Sequence, residues 1–242
     1  MTQLAARPLT ASDLERRLLY RDGLVLVLDK PAGLPVHAGP KGGPNLEDQL
    51  DALTFGLPRR PHLAHRLDRD TSGCLVLGRH AKALRRLGAI FAEGRAEKTY
   101  WAITVGGPAE PTGTIDLPLA KRSEVRGWWM KVDPAGQTAR TDYRVLGRGR
   151  WQGIEIAWLE LRPRTGRTHQ IRVHTLAIGC PVLGDPIYGK ELQPAAPPPM
   201  QLHAAAISLP LYPAKPPIEV RAEPPEHMLG PLRACGWEMP TG

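Results

Sequence analysis

His65-Arg66-Leu67-Asp68-Arg69-Asp70-Thr71-Ser72-Gly73 sets two carboxylates among arginines and closes on a Thr-Ser-Gly turn. A carboxylate flanked by guanidinium groups is favoured in its ionised form, because opposite charges within a few ångströms lower a carboxyl pKa. Such a group can attack as a nucleophile or accept a proton as a base. Directly after the turn, Cys74-Leu75-Val76-Leu77 is an unbroken apolar run, the pattern of a strand buried on both faces. Asp68 is therefore expected in a loop beside a core strand.

Working outward, Leu24 to Leu28 predicts a short apolar strand that runs into the Pro31-Ala32-Gly33 turn, and Asn45 followed by Asp48 predicts a helix start with its end near Gly56. Ala83, Leu84, Leu87, Ile90 and Phe91 recur at helical spacing before Gly94, a C-cap glycine. Thr99 to Val105, Thr141 to Leu146 and Ile154 to Leu161 alternate as strands, and Thr168 to Ile178 returns to helix before Gly179. This irregular mixture lacks the strand-helix repeat of a parallel α/β protein. It predicts an α+β fold with a mixed, largely antiparallel central sheet flanked by helices. An N-terminal extension over 1–20, one main domain over 21–230 and a tail over 231–242 are expected. Gln193 to Pro199 reads as an extended surface connection, and the stretch from Pro224 onward, with its prolines and glycines, as only partly ordered.

The 242 residues carry a formal net charge of +8, which suits a polyanionic partner, either nucleic acid or an acidic membrane surface. No apolar stretch approaches the roughly 18 residues of a bilayer span, and Met1 to Arg17 lacks the apolar centre of a secretory signal. A cytoplasmic monomer acting on nucleic acid is the expectation. Cys74, Cys180 and Cys235 are widely separated and odd in number, as in a reducing compartment. His62 with His65, and His169 with His174, lack the accompanying ligands of a zinc motif, so no metal is expected.

The stretch from His65 to Gly73 resembles the His-Arg-Leu-Asp-x-x-Thr-Ser-Gly signature of the RluA family of RNA pseudouridine synthases. Asp29 to His37 looks like that family's opening strand and turn, and Lys98-Thr99-Tyr100-Trp101-Ala102 like its second motif. Thr165 to His174 followed by Gly184-Asp185-Pro186-Ile187-Tyr188-Gly189 is similar to the third, and Leu202-His203-Ala204 to the last. These motifs fall in family order across most of the chain. The resemblance implies the pseudouridine synthase fold with a catalytic cleft across its middle, acting on structured tRNA or rRNA without cofactor. It also implies that RNA affinity resides in the catalytic domain, since too few residues precede Leu24 for the RNA-binding module many relatives carry there.

By the same resemblance Asp68 is the group that acts on the sugar, by attack or by removal of the C2′ proton, and both routes stay open. Tyr100 stacks on the flipped base and can serve as acid or base. Arg172 pairs with Asp68 and orients it. His169 lies three residues before Arg172 and so shares its helix face, while Arg167, near the helix start, suits a phosphate contact. His65, Arg66, Arg59 and Arg60 would line the path of the RNA, and Leu202 would form an apolar wall under the reacting sugar.

Other readings fit less well. The Asp68-Arg69-Asp70-Thr71 pattern superficially matches a haloacid dehalogenase-type phosphatase loop, but those loops follow an apolar strand, and Pro61 to Leu67 is polar and basic. Asp70 is read instead as a structural partner of a nearby arginine or backbone amide. A non-catalytic RNA-binding protein has no need of a carboxylate in a channel that meets phosphates. Trp128 and Trp129, near Arg126 and Lys131, are adjacent, so at most one of them faces an unpaired base.

Overall fold

The computed structural model describes residues 9–39, 42–123 and 129–239; most of the 1–10 stretch, Arg126 and Trp128 lie outside them. In chain order the elements are α1 (Ala11–Arg16), β1 (Leu18–Arg21), β2 (Val25–Lys30), a 3-10 helix (Glu47–Leu53), β3 (His62–Leu63), β4 (Ser72–Gly78), α2 (Ala81–Ala92) and β5 (Glu97–Val105). There follow β6 (Thr112–Asp116), β7 (Leu119–Lys121), β8 (Met130–Val132), β9 (Arg140–Trp151), β10 (Ile154–Pro163), α3 (Gln170–Ala177), a second 3-10 helix (Lys190–Leu192), β11 (Leu202–Leu209), β12 (Ile218–Arg221) and α4 (Glu226–Ala234). The architecture is α+β with mixed, mostly antiparallel sheet structure, as the patterning predicts.

Two compact units divide the chain, 1–97 with 204–223 and 98–203 with 224–242. In the first, β2 pairs antiparallel with both β1 and β4. Val25 to Leu28 and Leu75 to Leu77 are fully buried, which is why their sequences show no polar alternation. Leu87 and Ile90 of α2 pack on Val25, Val27 and Val76, and His80 caps this helix by accepting a bond from the Ala83 amide at 3.2 Å. Asn45 does accept a bond from the Asp48 amide, at 3.2 Å, but the segment winds as a 3-10 helix over Glu47–Leu53. Phe55 and Gly56 then take left-handed backbone, with φ of 45° and 81°, and end it before a regular α-helix develops. The expected N-terminal extension holds α1, where Thr10 and Asp13 form a capping box and Leu14 is buried.

In the second unit, β10 pairs antiparallel with β5 and β9, and β6 with β9. Tyr100, Leu161 and Tyr143 stand in one cross-strand row and so share a face. On the other face α4 buries Met228 and Leu232 against Ile103 and Ile156. The segment expected to be only partly ordered is thus a docked helix. Its i, i+4 apolar pair is masked in sequence by Pro231, which cannot donate to the His227 carbonyl. Gln201 Nε2 takes that carbonyl instead, at 3.4 Å. No helix of the described residues is long and apolar enough to cross a membrane.

Candidate active site

In the first unit the Asp68 loop is organised around a lysine. Lys30, the last residue of β2, is wholly buried, and its Nζ donates to the carbonyls of Pro31 at 2.8 Å, Leu34 at 2.9 Å and Arg69 at 2.9 Å. Burial pulls its pKa down to about 7, against the upward pull of the Asp70, Asp68 and Asp29 charges. The Gly33 amide also donates to Arg69 O, and the Thr71 amide closes a turn on Asp68 O at 3.2 Å. The 31–34 and 68–71 turns are therefore fastened to each other. Gly73 follows at φ 102°, and a Cβ there would lie 2.3 Å from the Ala204 carbonyl oxygen, so only glycine fits.

Asp68 is partly exposed at this turn. Asp70 accepts from Arg69 at 3.0 and 3.1 Å, the structural pairing expected of it. His65 Nε2 accepts from the Val76 amide at 3.0 Å and its ring lies 4.8 Å from Phe91, which ties it to β4. Arg59 and Arg66 are exposed. Arg60 donates to Glu47 O at 2.9 Å and lies 3.8 Å from Asp51.

In the second unit Tyr100 projects from β5, half-buried, into an apolar cluster with Leu161, Ile171 and Leu202. Arg172 is 4 % exposed. Its Nε and Nη2 grip the Asp185 carboxylate at 2.7 and 2.8 Å, and the Tyr188 ring centre lies 5.0 Å from its guanidinium carbon. His169 sits just before α3 in a left-handed conformation, φ 52° and ψ 20°, with Nδ1 2.8 Å from the Tyr188 hydroxyl. Gln170 locks the approach to the helix by accepting from the Thr165 hydroxyl and the Arg167 amide and donating to Arg140 O and Thr141 Oγ1. Arg167 is exposed and donates to Thr138 O at 3.0 Å. His169 and Arg172, predicted to share a face, meet through Tyr188.

Sequence alone assigns no role to Lys30, Gln170, Asp185 or Tyr188. All four lie within the motif stretches, and the signal available for Lys30 is a charged residue closing an apolar strand. Among the described residues, no group of three or more His, Cys, Asp or Glu side chains is disposed to hold a metal ion.

A family described as RNA pseudouridylate synthase matches residues 24–177. The chain belongs to that family. It is 44% identical over 180 residues to an uncharacterised RNA pseudouridine synthase of Zymomonas mobilis, a match covering 74% of this chain and 80% of that protein. It is 40% identical to the ribosomal large subunit pseudouridine synthase D of Pseudomonas aeruginosa, covering 74% of this chain and 55% of that one. The solved structure of human RNA pseudouridylate synthase domain containing 4 superposes with a TM-score of 0.78 at 28% identity, over 96% of this chain and 97% of that chain. The protein is an RNA pseudouridine synthase, an isomerase acting on RNA, and the non-catalytic reading is not favoured.

Proposed function

We propose that this synthase isomerises a loop uridine of structured RNA, either rRNA or tRNA, with Asp68 as the carboxylate that acts on the sugar, Tyr100 against the extruded base and Arg172 orienting Asp68. The relative from Pseudomonas, named for the large ribosomal subunit, supports rRNA as the first substrate to try. The observation that carries the reading is the Asp68 turn itself, a partly exposed carboxylate on a loop whose backbone is pinned by the buried Lys30 ammonium and the Gly33 amide. Such pinning fixes a reacting group in place before substrate arrives, which is worth more to catalysis than an added contact.

The reaction breaks the bond from C1′ to N1, turns the uracil and joins C1′ to C5; a proton leaves C5 and N1 takes one up. Nothing is oxidised or reduced, so a carboxylate, a proton carrier and a pocket for the flipped base suffice. Tyr100 offers a ring to stack on the base and a phenol to carry the proton. Arg59, Arg60, Arg66 and Arg167 neutralise phosphates along the RNA, and replacing any one of them by Ala should flatten the salt dependence of binding by about one unit of slope.

Asp68→Asn is nearly isosteric and tests the assignment. Tritium release from RNA labelled at uridine C5 is expected to stop, with RNA affinity unchanged or slightly tighter, because a negative charge has left a surface that meets phosphates. Turnover by the purified variant, with wild-type contamination excluded, overturns it.

A further inference from the structure

Gly184-Asp185-Pro186-Ile187-Tyr188-Gly189 has no part in the chemistry proposed above, yet it encloses the Arg172 guanidinium from two sides. We infer that Asp185 is a positioning residue for the isomerisation, acting through Arg172, and that the 184–189 turn is built to aim that guanidinium. The inference rests on the reading of Arg172 as the partner of Asp68.

Asp185 is itself held by backbone. Its Oδ1 accepts from the Ile187 amide at 2.8 Å and the Tyr188 amide at 3.1 Å as well as from Arg172 Nη2, while Oδ2 accepts from Arg172 Nε. The plane of the guanidinium is thus referred to the main chain through a single rigid carboxylate. The two side chains are 5% and 0% exposed, so water does not loosen the pair. Tyr188 covers the guanidinium from one side. A grip through Nε and Nη2 holds one edge of the guanidinium and so fixes the direction in which its other N–H groups point, the geometry wanted of a group that must present donors in a fixed direction.

The turn cannot slide. Gly184 has φ 78°, and a Cβ there would lie 2.4 Å from Pro198 O. Gly189 has φ 68°, and a Cβ there would lie 2.5 Å from the Pro181 side chain. Both glycines are needed because the backbone is left-handed and the neighbouring chain is in contact. A merely structural buried ion pair is often replaceable by hydrocarbon without loss. One that aims a catalytic partner is not, and that difference is measurable.

The test compares Asp185→Asn, Asp185→Glu, Arg172→Met and the double variant Arg172→Met with Asp185→Leu. Single-turnover rates at saturating RNA and RNA affinities are measured at a temperature where circular dichroism shows each protein folded. Asp185→Asn keeps the size but sets an amide against a guanidinium N–H, and is expected to lower the saturated rate about a hundredfold, the loss typical of a misplaced catalytic group, with affinity little changed. Asp185→Glu keeps the charge but displaces the fork by one methylene, and is expected to be slowed at least about tenfold. The double variant is expected to fold and to be no slower than Arg172→Met, since both act on one function. A wild-type saturated rate in folded Asp185→Asn, or in Asp185→Glu if the first does not fold, overturns the inference. So does a double variant far slower than Arg172→Met. A wild-type rate in Arg172→Met would instead sink the underlying assignment of Arg172, so the two failures are told apart.

Discussion

Each unit buries a long cation beside the residues given chemistry, and the two are held by opposite means. Lys30 rests on three neutral carbonyls from two turns, whereas Arg172 rests on one full carboxylate. Carbonyl dipoles only partly replace water around an ammonium, so burial pulls the Lys30 pKa to about 7. A guanidinium does not release its proton, so its burial requires a counter-charge. The difference is one of purpose as well as energy. Lys30 arranges the backbone around it, as a hub for the Asp68 loop, while Arg172 is itself arranged by its surroundings.

Removing each cation sharpens the contrast. Arg172→Met leaves the Asp185 carboxylate buried with only backbone amides, and such an uncompensated charge is expected to cost about 3–5 kcal/mol in urea unfolding. Replacing Asp185 with Leu in the same protein should recover part of that loss, since the buried charge is gone but the Ile187 and Tyr188 amides lose their acceptor. Lys30→Met takes a donor from three carbonyls, of which Arg69 O keeps the Gly33 amide, and strands no charge, so the smaller penalty expected is about 1–3 kcal/mol. A larger loss for Lys30→Met than for Arg172→Met would reverse the comparison and make the lysine hub the dominant electrostatic element.

The pH dependence of stability separates the two further. The folded-state pKa of Lys30, about 7, lies below its ordinary value of 10.5. Stability from this residue is fully present above 10.5 and is lost as pH falls through about 7. Between those limits the unfolding free energy of the wild type, taken relative to Lys30→Met, should therefore rise with pH. The same subtraction against the variant carrying Arg172→Met with Asp185→Leu should show no such rise over that interval. Urea titrations from pH 7 to pH 10 check both, and a flat Lys30 difference would mean that the carbonyls and nearby carboxylates hold the proton against burial.

Much of this is legible in the sequence, for reasons that differ by region. The apolar runs at Val25 to Leu28 and Cys74 to Leu77 could only be buried strands, and the Asp68 turn follows from its position between a basic segment and one of them. The helix of α4 is hidden because Pro231 breaks the local pattern, and the bond that compensates it comes from Gln201, outside the helix. The left-handed conformation of His169 is hidden too, since nothing in Thr168-His169-Gln170 signals it; it is set by the Tyr188 hydroxyl and by the Gln170 bonds to Arg140 and Thr141. Roles for Lys30 and Asp185 require knowing what surrounds them. Charge in a sequence string does not reveal whether a carbonyl or a carboxylate will meet it.

The smallest expected effect falls on the hydroxyl that joins His169 to the arginine clamp. Tyr188 Oη lies 2.8 Å from His169 Nδ1 and accepts from the Met130 amide at 2.9 Å. Tyr188→Phe removes both bonds but keeps the ring against Arg172, and the net loss expected is about 1 kcal/mol. The clamp on Arg172 survives this change, since Asp185 and the two backbone amides are untouched, so the saturated rate should fall less than tenfold, far less than in Asp185→Asn. Tyr188→Leu removes the ring as well and should be the slower of the two. Equal rates for Phe and Leu would show that the ring does nothing for the guanidinium, leaving the carboxylate alone to aim it.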